Sequence, residues 1–230
     1  MKTFPVLRSL AVLALLPTSG HAALTLGPLS DFQDGTLQGW SGNAAPTIVT
    51  SGGPAGAGDA FLQIGGGNRF AIFNADPNYS GALSSTVTAI DVDLMRPSND
   101  PGSLEMRLVL FGPSTNDRWT SLNAQMVPND GLWRTYTFSV LEPDLTRVLG
   151  SGTYAALAAN VDRTMLRHDP DPASATGIFA PGTLGIDNVA AVPEPSAPGL
   201  ILAAAAALAA RRRRRRTTDR DPVCHPASRS

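Results

Sequence analysis

Few side chains in this sequence could do chemistry, and their types and spacing narrow the reactions open to it. Glycoside hydrolysis needs two carboxyl groups facing each other across a cleft, one with its pKa raised by burial. Between residues 23 and 191 the only glutamates are Glu105 and Glu142, and alternation around Glu105 puts it on the polar face of a strand. Asp91 and Asp93 share a strand face two residues apart, the pattern of a solvated edge. A Ser/His/Asp arrangement would have to use His168, which sits in "RHDPDP" with no nucleophile-elbow motif. The one cysteine, Cys224, lies in the terminal tail beside His225, so the body has no cysteine nucleophile and no disulfide framework. Multi-histidine metal sites are excluded as well, and the chain is expected not to be an enzyme. Tryptophan faces stack on apolar ring surfaces, sugars included. Trp40 and Trp133 open strands and are expected in the core, whereas Trp119, set among polar residues in "STNDRWT", is the expected glycan contact.

The elements that would position these residues are short strands. "VTAIDVDL", residues 87–94, sets Ile90, Val92 and Leu94 against Asp91 and Asp93, the period-two pattern of a half-buried strand. Residues 104–111 repeat it, with Leu104, Met106, Leu108 and Leu110 opposite Glu105 and Arg107. "WRTYTFSV", residues 133–140, is rich in aromatic and β-branched types and follows an Asp130-Gly131 turn signal. Further strands are expected at 60–64, 69–73, 122–127 and 183–189, seven or eight in all. Only "YAALAANVDRTMLR" suggests a helical turn. The 22 glycines and 19 prolines favour turns over long helices. The glycine-rich "SGGPAGAG" and "GGG" lack the lysine and the strand-to-helix setting of a phosphate-binding loop. The fold class expected is all-β, a single antiparallel β-sandwich (jelly roll) over residues 23–191.

The formal net charge of −1 conceals an asymmetry. From Ala23 to Gly199 there are 17 acidic residues against 8 arginines and no lysine, a net −9. The remaining basic residues flank apolar runs at the two ends, so a nucleic-acid partner is not expected. A charge of −9 also argues against tight binding of an acidic polysaccharide unless a divalent cation bridges them.

"MKTFPVLRSLAVLALLPTSGHAA" has Lys2 and Arg8 before an apolar stretch from Leu10 to Leu16, then Pro17 and small residues. It reads as a secretory signal peptide, residues 1–22, cleaved after Ala22. Near the other end, the apolar run from Gly199 to Ala210 is 12 residues long, seven of them alanine. As a helix it would span about 18 Å against a hydrocarbon core of about 30 Å. Arg211, Arg212, Arg213, Arg214, Arg215 and Arg216 follow and would be held on the cytoplasmic side as a stop.

The order Val192-Pro193-Glu194-Pro195, short apolar helix and arginine cluster, on a chain with a signal peptide, resembles the PEP-CTERM sorting signal. That resemblance implies a signal at residues 192–216, with Pro193, Glu194 and Pro195 as the motif read by an exosortase during transient insertion in the inner membrane. It also implies export to the cell envelope and then to the cell surface or extracellular matrix. The chain departs from the pattern in a polar tail, residues 217–230, expected to be disordered.

Two stretches of the body carry a second resemblance. "DFQDGTLQGW", residues 31–40, and "LGIDNVAAV", residues 184–192, resemble the opening and closing strands of jelly-roll carbohydrate-binding modules and laminin-like extracellular domains. The resemblance implies a structural calcium held between the first and last strands, with Gln33 and Asp187 at the matching positions and Asp31 and Asp34 nearby. Gln33 stands where the family has glutamate, leaving a neutral oxygen ligand. Calcium accepts six to eight oxygens of mixed origin. The expected function is a non-catalytic β-sandwich associated with glycan or exopolysaccharide; the alternatives are a structural matrix protein without a specific ligand and, third, a secreted hydrolase.

Overall fold

Period-two alternation accounts for most of what the chain builds. The structure, a computed structural model, describes residues 23–193 apart from positions 25, 44, 68 and 115. The signal peptide, Glu194, Pro195, the apolar run, Arg211–Arg216 and the polar tail lie outside the described residues. Pro193 is the last described residue and is exposed. Among the described residues no helix is long and apolar enough to cross a membrane.

In chain order the strands are β1 (Ala23–Leu24), β2 (Gly27–Ser30), β3 (Thr47–Val49), β4 (Phe61–Gly67), β5 (Ala71–Asn74), β6 (Ala82–Leu83) and β7 (Ala89–Met95). There follow β8 (Leu104–Phe111), β9 (Arg118–Ser121), β10 (Gln125–Val127), β11 (Arg134–Ser139) and β12 (Leu145–Leu149), helix α1 (Tyr154–Ala159), then β13 (Arg163–His168) and β14 (Ala180–Val192). One sheet runs β12-β9-β8-β13-β5, with β10 also on β8; the other runs β11-β7-β14-β4-β3, with β2 also on β14. Pairing within both sheets is antiparallel, and β1 and β6 form a separate parallel pair. The architecture is an all-β sandwich.

The core lies between the sheets. Met106, Leu108 and Leu110 of β8 and Leu166 of β13 face Ile90, Val92 and Leu94 of β7, Leu62 and Ile64 of β4, and Leu184 and Ile186 of β14. Burying each such side chain contributes roughly 1.5–3 kcal/mol. On β7 the aspartates face outward, and Asp93 and Asp91 accept hydrogen bonds from Thr135 and Thr137 of β11, their register partners. Three buried arginines, Arg96, Arg107 and Arg167, tie loops to the frame. Arg96 donates to the carbonyls of Gly102, Pro101, Pro181 and Thr183, fastening the 97–103 turn to the start of β14.

The segment 154–167 divides. Thr153 caps α1, its side chain accepting from the Ala156 amide, and the helix ends at Ala159. From Arg163 the chain is a strand inside the first sheet, between β8 and β5, because Thr164 and Leu166 alternate inward with Arg163, Met165 and Arg167 outward. The expected strand at 122–127 shrinks to Gln125–Val127, with Leu122 exposed.

Candidate functional site

The outer face of the first sheet is set by the register of its central strands. Arg163, Met165 and Arg167 of β13 stand opposite Phe111, Val109 and Arg107 of β8, while Arg118 of β9 stands opposite Phe111 on its other side. Since Leu166 and Leu108 point into the core, this set points out. The Phe111 ring consequently lies between two guanidinium groups, with Arg163 Cζ 4.1 Å and Arg118 Cζ 5.0 Å from its centroid. Arg163 also lies 4.9 Å from the ring of Phe73 on β5. Cations over aromatic faces at these distances are attracted by the ring quadrupole.

The segment after β13 turns back over part of this face, and arginines hold it there. Arg107, fully buried, donates from Nε to the Asp169 carbonyl and from Nη1 to the carbonyls of Ser121 and Leu122, and pairs with Asp171. Arg167 donates to Asp169 Oδ2 and to the carbonyls of Ala175 and Ser174. Arg118 Nη1 also reaches the Ala175 carbonyl at 2.8 Å. What remains uncovered is a recess of about 150 Å³ lined by Arg69, Arg118, Arg163, Arg167, Phe111 and Met165 among others, and by no carboxylate. Arg69 and Arg163 have no hydrogen-bond or carboxylate partner among the described residues, and the buried Nε of Arg163 has none either. Burial, and then the positive charges of Arg163 and Arg69, lower the pKa of Arg118. Burial lowers that of Arg167, with Asp169 opposing. A guanidinium stays charged through such shifts. A larger recess, about 690 Å³, lies between Leu122, β12 and residues 171–175, with Arg147 on its wall. A third, about 350 Å³, is lined by Asp31, Asp34 and Asp76 and by no basic residue.

Trp119, the expected glycan contact, is half-buried on β9. Its ring packs against the core edge and meets Tyr154 edge-on at 6.0 Å, with Arg147 Cζ 5.9 Å away. Trp40 is in the core, 2% exposed, its Nε1 donating to Ser30 Oγ. Trp133 departs from expectation: it is half-buried on the outer face of the second sheet, edge-on to Phe61 at 5.1 Å, and donates to the Gly52 carbonyl. It fits there because Gly185 beneath it has no side chain; a Cβ would come within 2.7 Å of the ring. His168 is buried with Nδ1 at 3.0 Å from the Glu105 amide, and burial lowers its pKa.

Of the four residues expected around calcium, Gln33 is bonded to Asp31 and the charge of Asp31 reaches Asp187, whereas Asp34 turns to Thr36. Asp34 accepts from the amide and hydroxyl of Thr36, and those bonds hold its carboxyl below the usual range. Gln33 Nε2 donates to the Asp31 carbonyl at 3.0 Å, the Ala60 carbonyl at 3.0 Å and Asp59 Oδ1 at 2.8 Å. Asp187 is fully buried; its Oδ1 accepts from the Asn188 amide and its Oδ2 has no partner. Burial, with added repulsion from Asp59, Asp93 and Asp31, pushes the Asp187 carboxyl up to about 7. The oxygens suit calcium in kind, but the amino group of Gln33 already stands among three of them as a neutral donor. No group of three or more Asp, Glu, His or Cys side chains among the described residues is placed to hold a metal.

Comparison with protein-family models and with curated proteins finds no match. Solved structures do match. An exo-β-agarase structure aligns at 16% identity over 73% of this chain and 25% of that one, with a TM-score of 0.51. A family 11 carbohydrate-binding module from Clostridium thermocellum, in complex with a β-1,3-1,4-mixed-linked tetrasaccharide, aligns at 16% identity over 72% of this chain and 94% of that one, TM-score 0.48. A xylan-binding CBM22-1 domain from Paenibacillus barcinonensis aligns at 15% identity over 74% and 96%, TM-score 0.45. The match above 0.5, to a quarter of the exo-β-agarase chain, is a likeness of fold. Likeness at these identities speaks to fold alone, so the site rests on its own geometry.

Reading the sequence by motif missed Arg69, Arg118, Arg163 and Arg167. The available signal was compositional: eight arginines and no lysine in an acidic body, two of them in the alternating "RTMLR".

Proposed function

We propose that this is an exported protein whose non-catalytic β-sandwich associates with glycan at the cell surface or in an exopolysaccharide matrix. The observation that carries the reading is the uncovered part of the first sheet's outer face. There, the guanidinium groups of Arg163 and Arg69, without protein partners among the described residues, line one recess with Arg118, Arg167, Met165 and the nearly buried Phe111. Planar, multiply donating groups suit the hydroxyl edges that saccharides present. Trp119, which faces the core side of β9 with Leu110 and lies beside Arg147, belongs to the reading as a second, ring-stacking contact on the other side of the sheet from the arginine recess. The test is retention of the full-length protein in gels containing polysaccharide. Trp119→Ala, checked for an intact fold by circular dichroism, is expected to abolish retention. Unchanged retention removes Trp119 from the site, and no retention of the unaltered protein on any polysaccharide favours a structural matrix role.

Delivery belongs to the same proposal. The Pro193-Glu194-Pro195 motif, the short apolar run and Arg211–Arg216 support sorting by an exosortase, and Pro193 is exposed directly after β14. Mass spectrometry of protein recovered from envelope and medium tests it. A mature form that begins at residue 23 and lacks the arginine run is expected; an intact run would overturn sorting.

A further inference from the structure

We infer that the arginine recess on the outer face of the first sheet is an anion subsite for an acidic saccharide, one bearing a carboxylate or a sulfate ester. The inference rests on the glycan-binding reading and names the ligand class. Four of the body's eight arginines line a recess of about 150 Å³ that no carboxylate lines, although acidic residues outnumber basic ones 17 to 8 from Ala23 to Gly199. Random placement of so few cations on so acidic a body would pair them with aspartates. That is what happens to Arg134, which bridges Asp130 on the surface.

Structural need accounts for part of the cluster and leaves a remainder. Arg107 is engaged by carbonyls, Asp169 and Asp171, and Arg167 by carbonyls and Asp169 through both terminal nitrogens, its Nε alone lacking a partner, and they hold down the segment after β13. Asp169 has no spare capacity for the recess, since Ser174 donates to both of its oxygens and Arg167 to one. Arg163 is different. Its guanidinium is held between the Phe111 and Phe73 rings, 4.1 and 4.9 Å from their centroids, with no hydrogen-bond acceptor among the described residues. Arg69, exposed at the rim, is likewise unpartnered. Bringing like charges together costs energy that an oxyanion between them would recover, and guanidinium forks match carboxylate and sulfate oxygens bidentately. Met165, half-buried in the lining, supplies apolar surface for a sugar face.

The full-length protein has a net charge of −1 and carries the Arg211–Arg216 run, so binding to a polyanion is credited to the recess only where Arg163→Gln, which leaves that run intact, weakens it. The full-length protein is titrated with polygalacturonate, a sulfated galactan, neutral laminarin and a single-stranded oligonucleotide as a phosphodiester control. Binding to one or both acidic glycans is expected, and the two arms show which anion is taken. Arg163→Gln is expected to weaken that binding about tenfold or more, the scale of a lost charge-assisted hydrogen bond, and Arg69→Gln about threefold. In both variants laminarin binding should weaken less than acidic-glycan binding, the difference being the anion's contribution. Arg69→Gln guards against a folding defect, because Arg69 is exposed and supports nothing. Binding of laminarin alone overturns the anion subsite and leaves the glycan reading standing; failure on all three glycans overturns both. Wild-type affinity for acidic glycan in both variants, or equal affinity for the oligonucleotide, also overturns the inference.

Discussion

Asp187→Asn should raise stability at pH 8 and remove a pH dependence that the unaltered protein shows. Asp187 sits at the centre of the second sheet, in register with Asp93, with one carboxylate oxygen buried and unpartnered. An aspartate in an unfolded chain titrates near 3.9. In the fold, burial and the neighbouring carboxylates Asp59, Asp93 and Asp31 push this one up to about 7. Between those values the folded protein holds a proton that the unfolded chain has released, so raising the pH favours unfolding. The stability contributed is full below about pH 4 and is lost as pH rises through about 7. Three pK units correspond to roughly 4 kcal/mol at most, and the part falling between pH 5.5 and pH 8 is about 2 kcal/mol.

Urea unfolding at both pH values, in chelator so that no cation replaces the proton, measures it. His168 complicates the raw curves in the opposite direction, since burial lowers its pKa and it must take up a proton on unfolding in acid. The difference between wild type and Asp187→Asn cancels that contribution. Asparagine keeps the oxygen that accepts from the Asn188 amide and brings an amino group toward the acidic neighbours. The difference should grow by about 2 kcal/mol from pH 5.5 to pH 8. Parallel curves for the two proteins would refute the reasoning.

Three further perturbations test other parts of the frame. Calcium should leave the melting temperature of the unaltered protein where chelator does, whereas Gln33→Glu should melt lower in chelator and recover in millimolar calcium. The added charge and lost donor leave the Asp31 and Ala60 carbonyls and Asp59 facing a carboxylate. Arg96→Ala should cost about 3 kcal/mol in urea unfolding, because the carbonyls of Gly102, Pro101, Pro181 and Thr183 lose their buried donor. Gly185→Ala should cost about 1–3 kcal/mol and shift Trp133 fluorescence, since the new methyl group meets an indole wedged against Phe61.

Legibility in the sequence followed how local the controlling interaction was. β7 and β8 could be read because their inward residues are aliphatic and their outward ones charged, a contrast that period-two alternation exposes directly. β13 was obscured for two reasons. "YAALAA" before it has real helical propensity and does form α1, while the strand's own outward positions hold Arg163, Met165 and Arg167, types at home in helices as well. Arg107 was assigned correctly to the face opposite the core but not to burial, because what buries it is a segment more than 60 residues later in the chain. Asp59, likewise, joins Gln33 from a position 26 residues away and carries no motif.

The arginine recess lies at the far end of that scale, yet composition contained its premise. Lysine would serve poorly at these positions. Arg107 and Arg167 each direct several donors at fixed carbonyls, and Arg163 lies against two rings, tasks that suit a planar, weakly hydrated guanidinium. A body with eight arginines and no lysine is therefore what such a face would require. An acidic surface needing only solvated countercharges would place no such demand on the choice of cation. Composition could state that guanidinium chemistry mattered, but only the register of β13, β8 and β9 brought Arg163 and Arg118 beside Phe111 and Arg167 into the same recess.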